Sequence, residues 1–511
     1  MGGENHLYDR LFANPDPDAL FAEVPGETVR KVLYRDLDAL AGRLANTLVR
    51  LGVKPGDRVA VQAEKSIELV ALYLASARAG AVFLPLNTAY TPAEVEYFFS
   101  DAEPALIVVD PAREQKLAPL AAAIGAGLAT LGAMADGVAT GSLMDEAAAA
   151  PDTFASVPRG PDDLAAMLYT SGTTGRSKGA MLSHDNLWSN AVALRDLWQF
   201  TAADRLIHAL PIFHTHGLFV ANNTTMAAGG SLIFLSRFDP EPVIEAMPNA
   251  TALMGVPTYY TALLGDPALT RERAAGMRIF VSGSAPMLVE THTRWQERTG
   301  HTIVERYGMT ETTMNTSNPY DGERRPGTVG LALPGVSVRV CDDAGKPVSP
   351  GEIGMLEVRG PNVFKGYWRM PEKTAEEFRE DGYFITGDLS TMDADGWVTI
   401  VGRDKDLIIT GGLNVYPKEV ETLIDEIDGV AESAVIGIPH PYFGEAVVAV
   451  VVRSGEGASF ARILGALKDR LARFKQPTRV FFVDALPRNT MGKVQKAALR
   501  ETYAATFQPA D

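Results

Sequence analysis

The stretch Tyr169–Met181, YTSGTTGRSKGAM, sets Gly172, Gly175 and Gly179 among the hydroxyls of Thr170, Ser171, Thr173 and Thr174. Lys178 stands alongside, with no acidic side chain in the segment. Glycines let backbone N–H groups curl closely around anionic oxygens, hydroxyls add donors, and a lysine supplies mobile positive charge, so the composition suits a polyphosphate. A flexible Ser/Gly surface loop has a similar composition. A Walker-type loop needs lysine directly after a glycine five residues beyond the first, and that glycine position is Ser177. A kinase-like P-loop is therefore excluded.

Reading outward, the chain alternates helical and strand patterns. Leu37, Leu40, Leu44 and Leu48 recur at helical spacing within residues 34–50, and GVKPGDRVAVQA then gives a turn and a short apolar strand. The alternation repeats through IELVALYLASARAG and AVFLPL, AEVEYFFSDA and ALIVVD, RIFVSGSAP and TIVERYG. It predicts an α/β fold of helix-covered parallel sheets with ligand loops at the carboxyl ends of the strands. From about residue 324 short strands and Gly/Pro turns take over, predicting a β-rich subdomain over 324–403 that walls the site. At GRDKD, Gly402–Asp406, the texture changes again to a compact α/β pattern. Two domains are expected, 1–403 and 404–511. The Ala-rich stretch 120–150 reads as a peripheral connection.

Bulk properties bound the function. A chain of 511 residues, 46% hydrophobic and 22% charged, can bury a large core. Its net charge of −16 excludes a basic footprint for nucleic acid or anionic lipid, so any anionic ligand must be held by a local positive site. The single Cys341 rules out an internal disulfide and falls in a strand-like stretch, VSVRVCDD, as a small structural residue. MGGENHLYDRLF has no apolar run, and ELVALYLASARAGAVFLPL is interrupted by Arg78, so a cytoplasmic protein is expected.

Four further segments keep order with the first: ERYGMTET (Glu305–Thr312), YFITGDL (Tyr383–Leu389), GRDKDLIITGGLNVYPKEVE (Gly402–Glu421) and PRNTMGKVQK (Pro487–Lys496). Together the five resemble the adenylate-forming superfamily of acyl-CoA synthetases, luciferases and peptide-synthetase adenylation domains, over nearly the whole chain. The resemblance implies ATP and CoA as co-substrates and Mg²⁺ held by Glu311. It implies an ATP site formed by Thr170, Ser171, Gly172, Thr173, Thr174, Gly175 and Lys178, by Ser282, Gly283, Ser284, Ala285 and Pro286, and by Glu305, Arg306, Tyr307, Gly308 and Met309. Thr310 would touch the α-phosphate and Tyr307 pack on adenine, with Asp388 on the ribose hydroxyls and Arg403 on ribose and phosphate. Lys493 would contact the substrate carboxylate and α-phosphate during adenylation only. Lys405 maps to the hinge about which the small C-terminal domain swings, and Gly411 and Gly412 to the CoA channel. Acylation of Lys493 by a lysine acyltransferase follows by the same analogy.

Substrate choice turns on arginine. Members taking aromatic or fatty acids usually have glycine before the motif tyrosine, where this chain has Arg306. A guanidinium in an acyl pocket is an uncompensated buried charge unless the substrate brings an anion. A second carboxylate is therefore expected, and malonate, a short dicarboxylate, fits. ERYGMTET, HALPIFHTHG and FLSRFDPE together resemble bacterial malonyl-CoA synthetases, which nominates Arg306 and Arg237 jointly, with Ser284 and His214 nearby and His214 among the catalytic groups. His216 is expected to shape the pocket, and His184 and His440 to be structural. A ligase for another short or methyl-branched acid, a stand-alone enzyme loading a carrier protein and a non-catalytic nucleotide binder are the alternatives. The charged pocket argues against a luciferase-like oxygenase.

Overall fold

A computed structural model describes residues 4–135, 138–170, 177–410, 413–455, 457–468, 470–489 and 492–507. The expected loop residues Ser171, Gly172, Thr173, Thr174 and Gly175, and the channel residues Gly411 and Gly412, lie outside them.

The helical leucines of 34–50 form a helix, Tyr34–Arg50, that buries Leu37, Leu44 and Leu48. Two large sheets dominate. One has nine strands, with Arg205–His208, Ser231–Phe234, Ala252–Gly255, Ile279–Ser282 and Ile303–Tyr307 all parallel at its centre. The other has six, including the parallel strands Val82–Pro85, Arg58–Gln62 and Leu106–Val109, and the antiparallel pair Leu164–Thr170 and Lys178–Ser183. The helix Ile67–Arg78 is buried along its whole length, which explains why its sequence is apolar on every face without spanning a membrane. No helix among the described residues is long and apolar enough to cross one.

The β-rich stretch folds into a four-stranded antiparallel sheet running from Ser337–Cys341 to Val398–Arg403. Leu331–Ala332, also expected there, instead extends the nine-stranded sheet. The Ala-rich region is more ordered than its composition suggests: Gly127–Thr130 adds a strand to the six-stranded sheet and Ser142–Ala148 is a helix. After a single 3₁₀ turn, Asp404–Asp406, the chain enters a separate five-stranded sheet with its own core around Val420, Ile424, Val447 and Ile463. Cys341 is fully buried in its strand.

Candidate active site

The central parallel strands end side by side, and their carboxyl ends deliver the candidate residues. Ser282 closes one strand, Tyr307 closes its neighbour, and the segment after His208 carries His214 and His216. This is where an open parallel sheet presents a ligand crevice.

Among the residues expected to hold the nucleotide, Asp388 and Arg403 face each other across adjacent strands, with Nε of Arg403 2.6 Å from the carboxylate. The Tyr307 hydroxyl donates to the other Asp388 oxygen. The expected ribose acceptor is thus pre-positioned by a cation and a phenol. Glu311 is buried, and burial pushes its carboxyl up from the usual range. Its Oε1 accepts from the Thr170 hydroxyl at 3.3 Å and the Tyr367 hydroxyl at 3.1 Å, and no ion pair to it exists among the described residues. The Tyr367 oxygen lies closer to Glu377 Oε2, at 2.6 Å, so its single proton is shared unequally between the two carboxylates in favour of Glu377, whose Oε1 accepts from Lys178 at 2.7 Å. Neither Tyr367 nor Glu377 belongs to a recognisable motif. They reach the site only because the segment 363–378 folds back onto the strand Lys178–Ser183, through bonds such as Trp368 N to Gly179 O.

Lys493 enters this cleft from the C-terminal domain. Gly492 before it has φ +73°, and a Cβ there would fall 3.2 Å from the Thr258 hydroxyl, so the turn is docked on the opposite domain. Burial, followed by the nearby Arg403, pushes the Lys493 ammonium down to about 8, with Glu311 and Asp388 opposing. The ammonium also helps depress His214, which burial, Lys493 and Arg306 together hold down at about 3. His214 therefore stands neutral near the cations Lys493 and Arg306.

The expected acyl-pocket residue Arg306 is 3% exposed, and its Nε and Nη2 have no hydrogen-bond partner among the described residues. Burial presses against its charge, and no carboxylate among the described residues pairs with it. Beside it His216 is fully buried, with its Nδ1 3.3 Å from the Ser284 hydroxyl and its Nε2 without a partner among the described residues. Ser284 adopts φ +70°, a strained conformation for a non-glycine residue. Behind, the fully buried His208 donates from Nε2 to Gly217 O at 2.9 Å and accepts from Lys65 at 3.0 Å, fixing the start of the π-helical turn His216–Ala221.

Arg237 is exposed, three residues past the strand Ser231–Phe234, and that strand stands four places from Ile303–Tyr307 in the sheet. At about 4.8 Å per interstrand step the two strands lie roughly 19 Å apart. Arg237 follows the carboxyl end of its strand, the end of the parallel sheet at which the candidate site lies. Glu305, adjacent to Arg306, turns its carboxylate to His292 Nδ1 at 3.1 Å and the Gly327 amide at 3.1 Å, a structural role beneath the strand. Strand alternation puts neighbours on opposite faces, so motif membership alone could not separate the two.

Residues 10–368 match the family described as AMP-binding enzyme, and 419–493 the AMP-binding enzyme C-terminal domain. The chain belongs to this adenylate-forming family and is an acid–thiol ligase. It is 37% identical to a feruloyl-CoA synthase of an Amycolatopsis species, over 92% of this chain and 94% of the relative. It is 34% identical to a malonate–CoA ligase of Arabidopsis thaliana, over 93% of this chain and 82% of the relative. The ATP-bound crystal structure of MatB from Rhodopseudomonas palustris is similar at 59% identity and TM-score 0.95, covering 99% of this chain and 100% of that one. Apo MatB, at the same identity and coverage, superposes with a TM-score of 0.84.

Proposed function

We propose that the protein is a malonate:CoA ligase. It adenylates malonate with ATP, releasing pyrophosphate, and then transfers the malonyl group to CoA, releasing AMP. The observation that carries the reading is Arg306: a buried guanidinium with unpartnered N–H groups calls for an anion, and the anion that completes it is the distal carboxylate of a short diacid. His216, beside Arg306, adds an Nε2 without a partner among the described residues. The likeness to the malonyl-CoA synthetase MatB supports it, as do malonate–CoA ligases among the relatives.

The chemistry divides between the pocket's two ends. Arg306 holds the distal carboxylate, so the other carboxylate is left toward His214 and Lys493. Lys493 bridges that carboxylate and the α-phosphate, offsetting the repulsion between two anions. Tyr307, Asp388 and Arg403 bind the nucleoside, and Thr170, Lys178 and Thr310 its phosphates. Glu311, a buried carboxylate without a paired cation among the described residues, fits Mg²⁺, which would supply charge neutralisation at the phosphates. After pyrophosphate leaves, the domain beginning at 404 rotates about Lys405, withdrawing Lys493 and bringing Gly411 and Gly412 to the pantetheine channel. The closer match to ATP-bound than to apo MatB supports reading the present arrangement as the adenylating one. We place the enzyme in the cytoplasm. The test is a panel of carboxylates with ATP, Mg²⁺ and CoA, analysed by mass spectrometry of the thioester. Malonyl-CoA as the dominant product is expected, and preferential use of a monocarboxylate overturns the reading.

A further inference from the structure

Lys178 is already occupied. Its ammonium donates to Glu377 Oε1 at 2.7 Å, lies 3.9 Å from the centre of the Tyr367 ring, and leaves only 9% of its side chain exposed. Glu377 belongs to the chain just beyond the helix Pro371–Glu376. It has two other partners, the Tyr367 hydroxyl at 2.6 Å and the Lys373 ammonium at 3.3 Å.

We propose that Glu377 is an internal counter-anion for Lys178, which ATP must displace, so that Glu377 sets the affinity for nucleotide. The proposal rests on the reading of Lys178 as a phosphate ligand. Two features make the exchange feasible. When Lys178 leaves, Tyr367 and Lys373 still hold Glu377, so no bare carboxylate remains in a half-buried site, which is the usual cost of breaking such a pair. Lys178, in turn, is a compact charge on a flexible stem and stands beside the glycine-rich segment. It moves from a singly charged carboxylate to a polyphosphate, so the stronger field wins while the lost pair subtracts from the binding energy.

The probe is a non-hydrolysable ATP analogue with Mg²⁺, its dissociation constant measured calorimetrically on the full chain. Glu377→Gln keeps the shape and the acceptor for Tyr367 but cannot pair with charge, and it should bind the analogue about 3- to 10-fold tighter, the range for a partly exposed ion pair. Lys373→Ala removes the spare partner, tightens the hold on Lys178, and should weaken binding by about 2-fold. Lys178→Ala should weaken it at least tenfold, and Glu377→Gln added to that variant should give no further gain. Unchanged or weaker binding in Glu377→Gln overturns the proposal, as does a gain that persists without Lys178. Wild-type affinity in Lys178→Ala would instead overturn the phosphate role of Lys178 itself.

Discussion

The guanidinium of Arg306 lies against the bare α-carbon of Gly283: a Cβ on that glycine would stand 2.4 Å from both Cζ and Nε of the arginine. Gly283 was expected to line the nucleotide. The structure gives it a second task, because any side chain there evicts the group that we assign to the distal carboxylate. Gly283→Ala should lower kcat/KM for malonate by about 10- to 100-fold, as a displaced charge-assisted contact does. Steady-state kinetics with malonate and butyrate check this. Equal losses for both acids would mean that the glycine serves the backbone rather than the arginine.

Removing the arginine itself tests the pocket's charge. Arg306→Gly should cost malonate about 2–5 kcal/mol, or roughly 30- to 5000-fold in kcat/KM. Butyrate should gain, since it no longer leaves a buried guanidinium unpaired. The ratio of the two specificity constants is the measurement, and an unchanged ratio rules out Arg306 as the discriminating group.

The sequence was informative where chemistry demands particular residue types. Arg306, Glu311, Asp388 and Lys493 all come from ordered motifs, and the structure gathers them around one cleft. The α/β alternation was equally legible, because helix and strand periods differ. What could not be read were relationships that depend on which face a residue takes or on how distant segments fold back. Glu305 and Arg306 share a motif yet point apart, and Glu377 reaches Lys178 across 199 positions.

Lys493 predicts a pH dependence. Its ammonium is pushed down to about 8, so within the alkaline range it loses the proton that makes it useful to two anions. Malonate-dependent pyrophosphate exchange should be level below pH 8 and fall about tenfold per unit above it. Lys493→Ala should abolish that exchange yet leave thioester formation from supplied malonyl-adenylate largely intact. A parallel loss in both half-reactions would contradict a lysine used in only one.

The hinge assignment gives a sharper split. Lys405→Pro fixes φ near −65° in the turn Asp404–Asp406 and should trap one domain orientation. One half-reaction should survive while overall turnover is lost. Wild-type turnover would move the pivot elsewhere.

Stability toward acid should depend on His184. It is fully buried at the start of the helix His184–Leu197, both ring nitrogens lack partners among the described residues, and burial holds it down at about 4. The unfolded chain takes up this proton near pH 6.5 and the folded one does not, so stability is intact above 6.5 and declines as pH falls toward 4. The loss amounts to about 2–3 kcal/mol across that window. Comparing urea midpoints at pH 7.5 and 5.0 in wild type and His184→Leu measures it, and an equal drop in both proteins would exonerate the histidine.

Cys341, the only thiol in 511 residues, is sealed within its strand. The native protein is therefore nearly silent to maleimide dyes, and a cysteine introduced at the surface reports alone. One dye on each side of the Asp404–Asp406 turn would make the proposed swing of the C-terminal domain visible molecule by molecule, without first stripping the chain of its own sulfur nucleophiles.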